Sequence, residues 1–97
     1  MAIGPGQPAF TFSREGILLN APNASGCYAL FHAGWVYFGE SNDIQRRLLE
    51  HLNEAGSLIL RNAPTGFAFE LVAANQRVAR QNALIAAYPT PCNQRMG

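Results

Sequence analysis

Three stretches of this 97-residue chain carry apolar patterns that are typical of β-strands. Residues 27–32 form a nearly continuous apolar run, residues 35–39 are rich in aromatic and branched side chains, and residues 67–72 alternate large with small residues. Runs of this length and composition predict three strands. The Ala33-Gly34 pair between the first two runs predicts a β-hairpin, because a short glycine-containing turn joins antiparallel neighbours.

A spacing of four residues predicts the first long helix, which ends near position 53. Its apolar stripe consists of Ile44, Leu48 and Leu52. Asn42 is the predicted N-cap of this helix, and Gln45 completes a capping-box-like pair with it. A short helical turn is predicted over residues 57–61 and a last helix over residues 75–88.

The order of these elements is strand, strand, helix, strand, helix. It predicts an α+β fold in which helices flank a small three-stranded mixed sheet. The length suits one domain with one core. We expect residues 1–23 to be a partly loose N-terminal lead-in, in which residues 9–13 form an edge strand or part of the lead-in, and residues 24–97 to be the domain.

Composition and charge restrict the function only weakly. The formal net charge is +1, every basic residue is an arginine, and no acid follows Glu70. Arginine is suited to bidentate phosphate contacts, but a genome whose codons favour arginine over lysine would give the same composition. The two cysteines, Cys27 and Cys92, have no metal-ligand spacing. With no long apolar run and no signal-like N-terminus, the expected compartment is the cytoplasm, with no membrane partner.

A polar stripe runs beside the apolar stripe of the first long helix. Asp43, Arg47 and His51 recur every four residues at the edge of the face that packs on the sheet. Alone, this stripe is most often a solvated helix face on which Asp43 pairs with Arg47. Tyr28 and Tyr37 can point to the same side of the hairpin if the register allows it, although such pairs are commonly plain cross-strand aromatics.

Taken together in chain order, these residues resemble the GIY-YIG nuclease superfamily. Gly26-Cys27-Tyr28 and Tyr37-Phe38-Gly39 match the two motif strands, Arg47 matches the motif arginine, and Asn93 matches the terminal asparagine. The resemblance covers about residues 24–95. Each motif is short, and the order and spacing of the whole set carry the similarity.

The resemblance implies a catalytic role for several of these side chains. Tyr28 would help to activate the attacking water, and Tyr37 would support it or position the water shell of a metal ion. Arg47 would hold the scissile phosphate. His51 would orient the water or a tyrosine, and Asn93 would brace the site by hydrogen bonding.

The resemblance also implies Mg²⁺ or Mn²⁺, bound by a glutamate of the last helix. The matching position holds Gln81, whose neutral amide is a poor ligand for a hard cation. Three acids elsewhere in the chain are candidate substitutes, although none occupies the ligand position: Glu40, Glu50 and Glu70.

Two hypotheses follow. The first is a GIY-YIG-type endonuclease domain that cleaves or nicks DNA with a divalent metal and has low sequence specificity. The second is an inactive module of the same fold that binds nucleic acid or a protein partner through the same cleft. Three further arginines would form a phosphate track, or else belong to a solvated surface: Arg46, Arg77 and Arg80.

Overall fold

The computed structural model describes residues 3, 9–54, 57–88, 90 and 92–93. In chain order the elements are β1 (Phe10–Thr11), α1 (Arg14–Asn20), β2 (Gly26–Phe31), β3 (Trp35–Ser41), α2 (Ile44–Leu52), α3 (Leu58–Arg61), β4 (Gly66–Leu71), a 3-10 turn (Ala74–Gln76) and α4 (Arg77–Ala87). The predicted hairpin is present as β2 and β3, and α2, α3, β4 and α4 lie within a few residues of their predicted positions. The expected loose lead-in includes β1 and α1, and Ile17 of α1 is fully buried.

The sheet has four strands in the order β1-β4-β2-β3, and every pair is antiparallel. The predicted three-stranded mixed sheet is therefore wrong in strand count and in direction. The added strand, β1, has only two residues and pairs with the start of β4. Of the two alternatives for residues 9–13, the edge strand is the one present, although a strand this short leaves little periodic signal in the sequence. The direction in which β4 pairs depends on the packing of the helices that precede it.

Asp43, not Asn42, is the N-cap of α2, because its side chain accepts a hydrogen bond from the Arg46 amide at 3.1 Å. The Asn42 side chain instead accepts from the Arg46 guanidinium. Gln45 makes no capping-box contact and donates its amide to the carbonyl of Ala21. Ser41, Asn42 and Asp43, which precede the helix, are all residue types that favour the N-cap, so local propensity did not distinguish between adjacent positions.

The alternation of side chains along β2 divides the interior into two layers. On one face, Tyr28 and Leu30 pack with Ile44 and Leu48 of α2. On the other face the packed residues are Cys27, Ala29, Phe38 and Leu84. Cys27 and Cys92 are free thiols that belong to different layers.

Among the described residues, no helix is long and apolar enough to cross a membrane.

Candidate active site

The register of the hairpin places the two motif tyrosines on the α2 face of the sheet. Leu30 pairs with Tyr37 and Tyr28 pairs with Gly39, so both phenols project to the same side. Their ring centroids lie 6.2 Å apart. Gly39 is required opposite Tyr28, because a Cβ at this position would lie 2.4 Å from the Tyr28 phenol carbon and hydroxyl oxygen.

His51 connects the hairpin to helix α2. Its Nε2 lies 2.7 Å from the Tyr28 hydroxyl, and its Nδ1 lies 2.6 Å from the Oε1 atom of Glu54. The ring centroids of Tyr28 and Tyr37 lie 5.6 and 5.5 Å from that of His51. Tyr28 is 1% exposed and His51 is 0% exposed. The sequence signal for this contact is the four-residue spacing that places His51 one turn after Arg47.

Arg47 lies at the border of the site, with a side chain that is 33% exposed. Its guanidinium contacts Glu50 at 3.2 Å and Glu54 at 3.4 Å. Asp43, the partner expected for a plain solvated stripe, instead caps α2 and accepts a hydrogen bond from Asn23. Arg47 and the His51 imidazole thus contact the same carboxylate, that of Glu54.

Burial and charge set the protonation states of the cluster. Burial raises the pKa of Tyr28 far above its usual range, and the nearby Arg47 opposes this shift. Burial raises the pKa of Tyr37 in the same way, again against the effect of Arg47. For His51, burial lowers the pKa and Arg47 lowers it further, while the Glu54 carboxylate opposes both. Both phenols and the imidazole are therefore neutral near pH 7.

Glu54 is the site residue that the sequence analysis missed. Burial raises its pKa, but hydrogen bonds and charge from His51 and Arg47 outweigh this effect and hold the pKa below its usual value. The available signal was its spacing, three residues after His51 and seven after Arg47. It was overlooked because it lies beyond the predicted end of the helix.

Asn93 braces the free edge of β3. Its Oδ1 accepts from the Phe38 amide at 2.7 Å, and its Nδ2 donates to the Phe38 carbonyl at 2.9 Å. The side-chain amide thus pairs with the edge strand as a peptide group would, and it satisfies a buried donor and acceptor. Thr90 supports this geometry by bonding to the side chain and to the backbone amide of Asn93.

Two candidate metal ligands lie on the opposite face of the sheet from the tyrosines. Glu40 and Glu70 both pair in register with Cys27, which belongs to the α4 layer. Glu40 accepts from Arg77 at 3.0 Å, and Glu70 accepts from Arg80 at 2.8 and 3.0 Å. An even number of residues separates side chains on one face of a strand, so Glu40, three residues after Tyr37, faces away from it.

The remaining candidates do not form a cation site either. Glu50 lies on the α2 side but contacts Arg47, and Gln81 is a half-buried residue of α4. Within the described ranges, no hydrogen bond joins Gln81 to the tyrosine–histidine cluster, and no group of three or more His, Cys, Asp or Glu side chains could hold a metal ion. Mg²⁺ usually takes one or two carboxylates besides water and substrate phosphate. The carboxylates on this side of the sheet, Glu50 and Glu54, are already paired with Arg47 and His51, so this donor set fits the ion poorly.

The three arginines of the predicted phosphate track do not form one track. Arg77 and Arg80 lie on α4 and are neutralised by acids of the sheet. Arg46 is exposed on α2 and contacts Asn42. The basic side chain that the structure brings to the tyrosines is Arg47.

Comparison with known proteins identifies the fold. No protein-family model and no curated protein sequence matches the chain. Among solved structures, the chain is similar to the magnesium-bound GIY-YIG N-terminal endonuclease domain of UvrC from Thermotoga maritima, with a TM-score of 0.69 and 23% identity over 79% of this chain and 90% of that domain.

Variants of the same domain match equally well. An asparagine-to-alanine mutant bound to its catalytic divalent cation gives a TM-score of 0.69 at 23% identity, with 79% of this chain and 89% of that chain covered. A tyrosine-to-phenylalanine mutant, also cation-bound, gives a TM-score of 0.69 at 22% identity, with 79% and 90% covered. The chain described here therefore has a GIY-YIG-like fold.

Proposed function

We propose that this chain binds a DNA phosphodiester at the cluster formed by Tyr28, Tyr37, Arg47 and His51, and that it does not cut the bond efficiently. The observation that carries this proposal is that the candidate carboxylates on both faces of the sheet are already paired. Glu40 and Glu70 are held in ion pairs on the face away from the cluster, Glu50 and Glu54 are paired with Arg47 and His51 on the cluster side, and Gln81 supplies only a neutral amide.

Arg47 is the proposed phosphate ligand. It is the partly exposed cation beside the phenols, and its guanidinium can make two parallel hydrogen bonds to phosphate oxygens. Binding would replace its contacts with Glu50 and Glu54. Exposed ion pairs of this kind contribute roughly 0–1 kcal/mol, so this exchange costs little.

The overall charge limits the strength of binding. With a net charge of +1, and with Arg77 and Arg80 neutralised, few cations remain to release counterions from DNA. We therefore expect weak, salt-sensitive binding with low sequence specificity.

A second candidate function is a GIY-YIG-type endonuclease that nicks DNA. The observation that favours it is the hydrogen-bonded series Tyr28, His51 and Glu54, which can move a proton away from a phenol. A domain of this kind would cut slowly, because its only candidate ligand on the last helix, Gln81, offers no charge to a cation. The name of the structural neighbour, an endonuclease domain, is a further reason to test for cutting.

The deciding experiment combines plasmid nicking with DNA binding by fluorescence anisotropy. The native chain, Gln81→Glu, Arg47→Ala and the double variant are assayed with Mg²⁺ and with Mn²⁺. Asn82→Glu is the matched control, because it adds the same carboxylate at an exposed neighbouring position of α4.

The proposal expects DNA binding without nicking by the native chain and weaker binding by Arg47→Ala. By the resemblance, Gln81→Glu but not Asn82→Glu should nick DNA; because α4 packs on the sheet face away from the tyrosines, a Gln81→Glu variant that does not nick would rule out position 81 as a metal ligand and leave the binding proposal standing. Nicking by the native chain that Arg47→Ala abolishes would instead establish the endonuclease. If no variant binds or cuts DNA, both DNA functions are excluded. The remaining hypothesis is that the cluster binds a protein partner.

A further inference from the structure

We propose that Glu54 is a positioning residue that fixes His51 in the tautomer with its proton on Nδ1, so that Nε2 is free to accept the proton of Tyr28. The role rests on the geometry of three groups. The carboxylate lies 2.6 Å from Nδ1, and the Tyr28 hydroxyl lies 2.7 Å from Nε2 on the other side of the ring.

The direction of both hydrogen bonds follows from the carboxylate. An ionised carboxylate can only accept, so Nδ1 must carry a proton. A neutral imidazole has one N–H, so Nε2 is then the acceptor and Tyr28 must be the donor. Without Glu54, the tautomer protonated on Nδ1 and the tautomer protonated on Nε2 would both be populated. In the second tautomer, Nε2 would be a donor and could not accept a hydrogen bond from Tyr28.

Among the described groups around His51, Glu54 is the one that determines which ring nitrogen carries the proton. Tyr28 and Tyr37 face the ring from the sheet, and Arg47, Glu50 and Glu54 face it from its own helix and the residues after it. Glu50 contacts Arg47 and makes no hydrogen bond to the ring. Glu54 is the carboxylate that reaches a ring nitrogen.

The same carboxylate also links the imidazole to the phosphate-binding cation. Its second oxygen, Oε2, lies 3.4 Å from Arg47. In the protein without phosphate, Glu54 thus holds the imidazole and the guanidinium in one arrangement. When Tyr28 takes a proton from water and passes its own to Nε2, the positive charge formed on His51 is matched by this carboxylate. This use of the series rests on the second candidate function, the endonuclease, whereas the tautomer itself does not.

The tautomer can be read directly by nitrogen NMR of histidine side chains in the free protein. The chain has two histidines, His32 and His51, and His32 is exposed, so His51→Gln assigns the spectrum. The variants are Glu54→Ala, which removes the acceptor, and Glu54→Gln, which retains an acceptor oxygen. Glu50→Ala is the matched control, because it removes a neighbouring carboxylate that contacts Arg47 but not the ring.

We expect native His51 to be a neutral Nδ1–H imidazole with an unprotonated Nε2. Glu54→Ala should lower the ratio of this tautomer to the other by roughly ten- to a hundredfold, the range for losing a hydrogen bond to a charged group. Glu54→Gln should restore most of the preference, and Glu50→Ala should leave it unchanged.

An Nε2–H imidazole in the native chain would overturn the proposal without any variant, and so would an unchanged ratio in folded Glu54→Ala. Since the measurement uses no DNA, its failure is separate from a failure of the Arg47→Ala binding test.

Discussion

The buried hydrogen bond between Tyr28 and His51 allows a quantitative test of the site. Tyr28→Phe removes one hydroxyl and leaves the ring in place. The Nε2 atom of His51 then has no partner, because the ring is 0% exposed and its other nitrogen is bonded to Glu54. Leaving a buried acceptor unpaired costs about 1–3 kcal/mol of folding free energy. In a domain of this size, each kcal/mol corresponds to about 4–8 °C in the unfolding temperature.

Urea denaturation, followed by the fluorescence of Trp35, the only tryptophan, gives the free energy of unfolding. Tyr37→Phe is the matched control, because Tyr37 is half-buried and its hydroxyl, which interacts only weakly with that of Tyr28, makes no hydrogen bond to the described residues within the usual distance limits. It should change stability by less than about 0.5 kcal/mol. His51→Leu should cost about as much as Tyr28→Phe, because it leaves the buried hydroxyl unpaired.

The double variant Tyr28→Phe/His51→Leu completes the cycle. It replaces both partners by apolar groups, so it should cost clearly less than the sum of the single variants, by about 1 kcal/mol or more. Two results would refute the reasoning: Tyr28→Phe as stable as the native chain, or equal losses in Tyr28→Phe and Tyr37→Phe. Additive single variants would show that the two side chains are not energetically coupled.

Three further predictions concern the surroundings of this pair. Gly39→Ala should destabilise the fold by about 1–3 kcal/mol and perturb the His51 NMR signals, because the new methyl group would meet the Tyr28 ring; a mild change in urea melts would contradict the close approach. Because the pKa of His51 is lowered from 6.5 in the folded state, stability should be full above about pH 6.5 and fall as the pH decreases, by at most about 1.4 kcal/mol at pH 5.5. Urea melts at pH 7.5 and 5.5 measure this difference, and His51→Leu should show a smaller one. Asn93→Ala should cost about 1–3 kcal/mol and increase amide hydrogen exchange at Phe38, since both hydrogen bonds to the edge strand are lost; unchanged exchange would show that the brace is dispensable.

Much of the fold could be predicted because its signals are local. The apolar runs of the hairpin and the four-residue stripe of α2 each depend on neighbours in the sequence, and both elements formed where predicted. Residues 9–13 were expected to form an edge strand or part of the lead-in, and the sequence did not decide between them because a two-residue strand carries almost no period. The direction in which β4 pairs depends on packing between distant elements. The N-cap was placed one residue early because adjacent polar residues have similar capping propensities.

The positions of the candidate site residues could be predicted only where their spacing along a helix or strand determines which side chains lie together. Arg47 and His51 lie one turn apart on a helix, and the two tyrosines share a face once the hairpin register is known. The positions of the substitute acids relative to the tyrosines were not predicted by nearness in the sequence. Glu40 and Glu70 lie near the motif in sequence or in the sheet, but strand alternation turns them to the other face, where Arg77 and Arg80 of α4 neutralise them.

We propose that the buried Tyr28–His51 pair serves the chemistry of the site rather than the stability of the fold. Two polar groups that satisfy each other in an interior add little net stability compared with apolar side chains of similar shape. The described residues contain no buried side-chain nitrogen or oxygen atom without a partner, so both groups of the pair are satisfied within the fold. A double variant, Tyr28→Phe/His51→Leu, with native-like stability but impaired DNA binding would show this separation directly. A double variant that unfolds would instead make the pair a structural element, and the retained phenol and imidazole would no longer be an argument for activity.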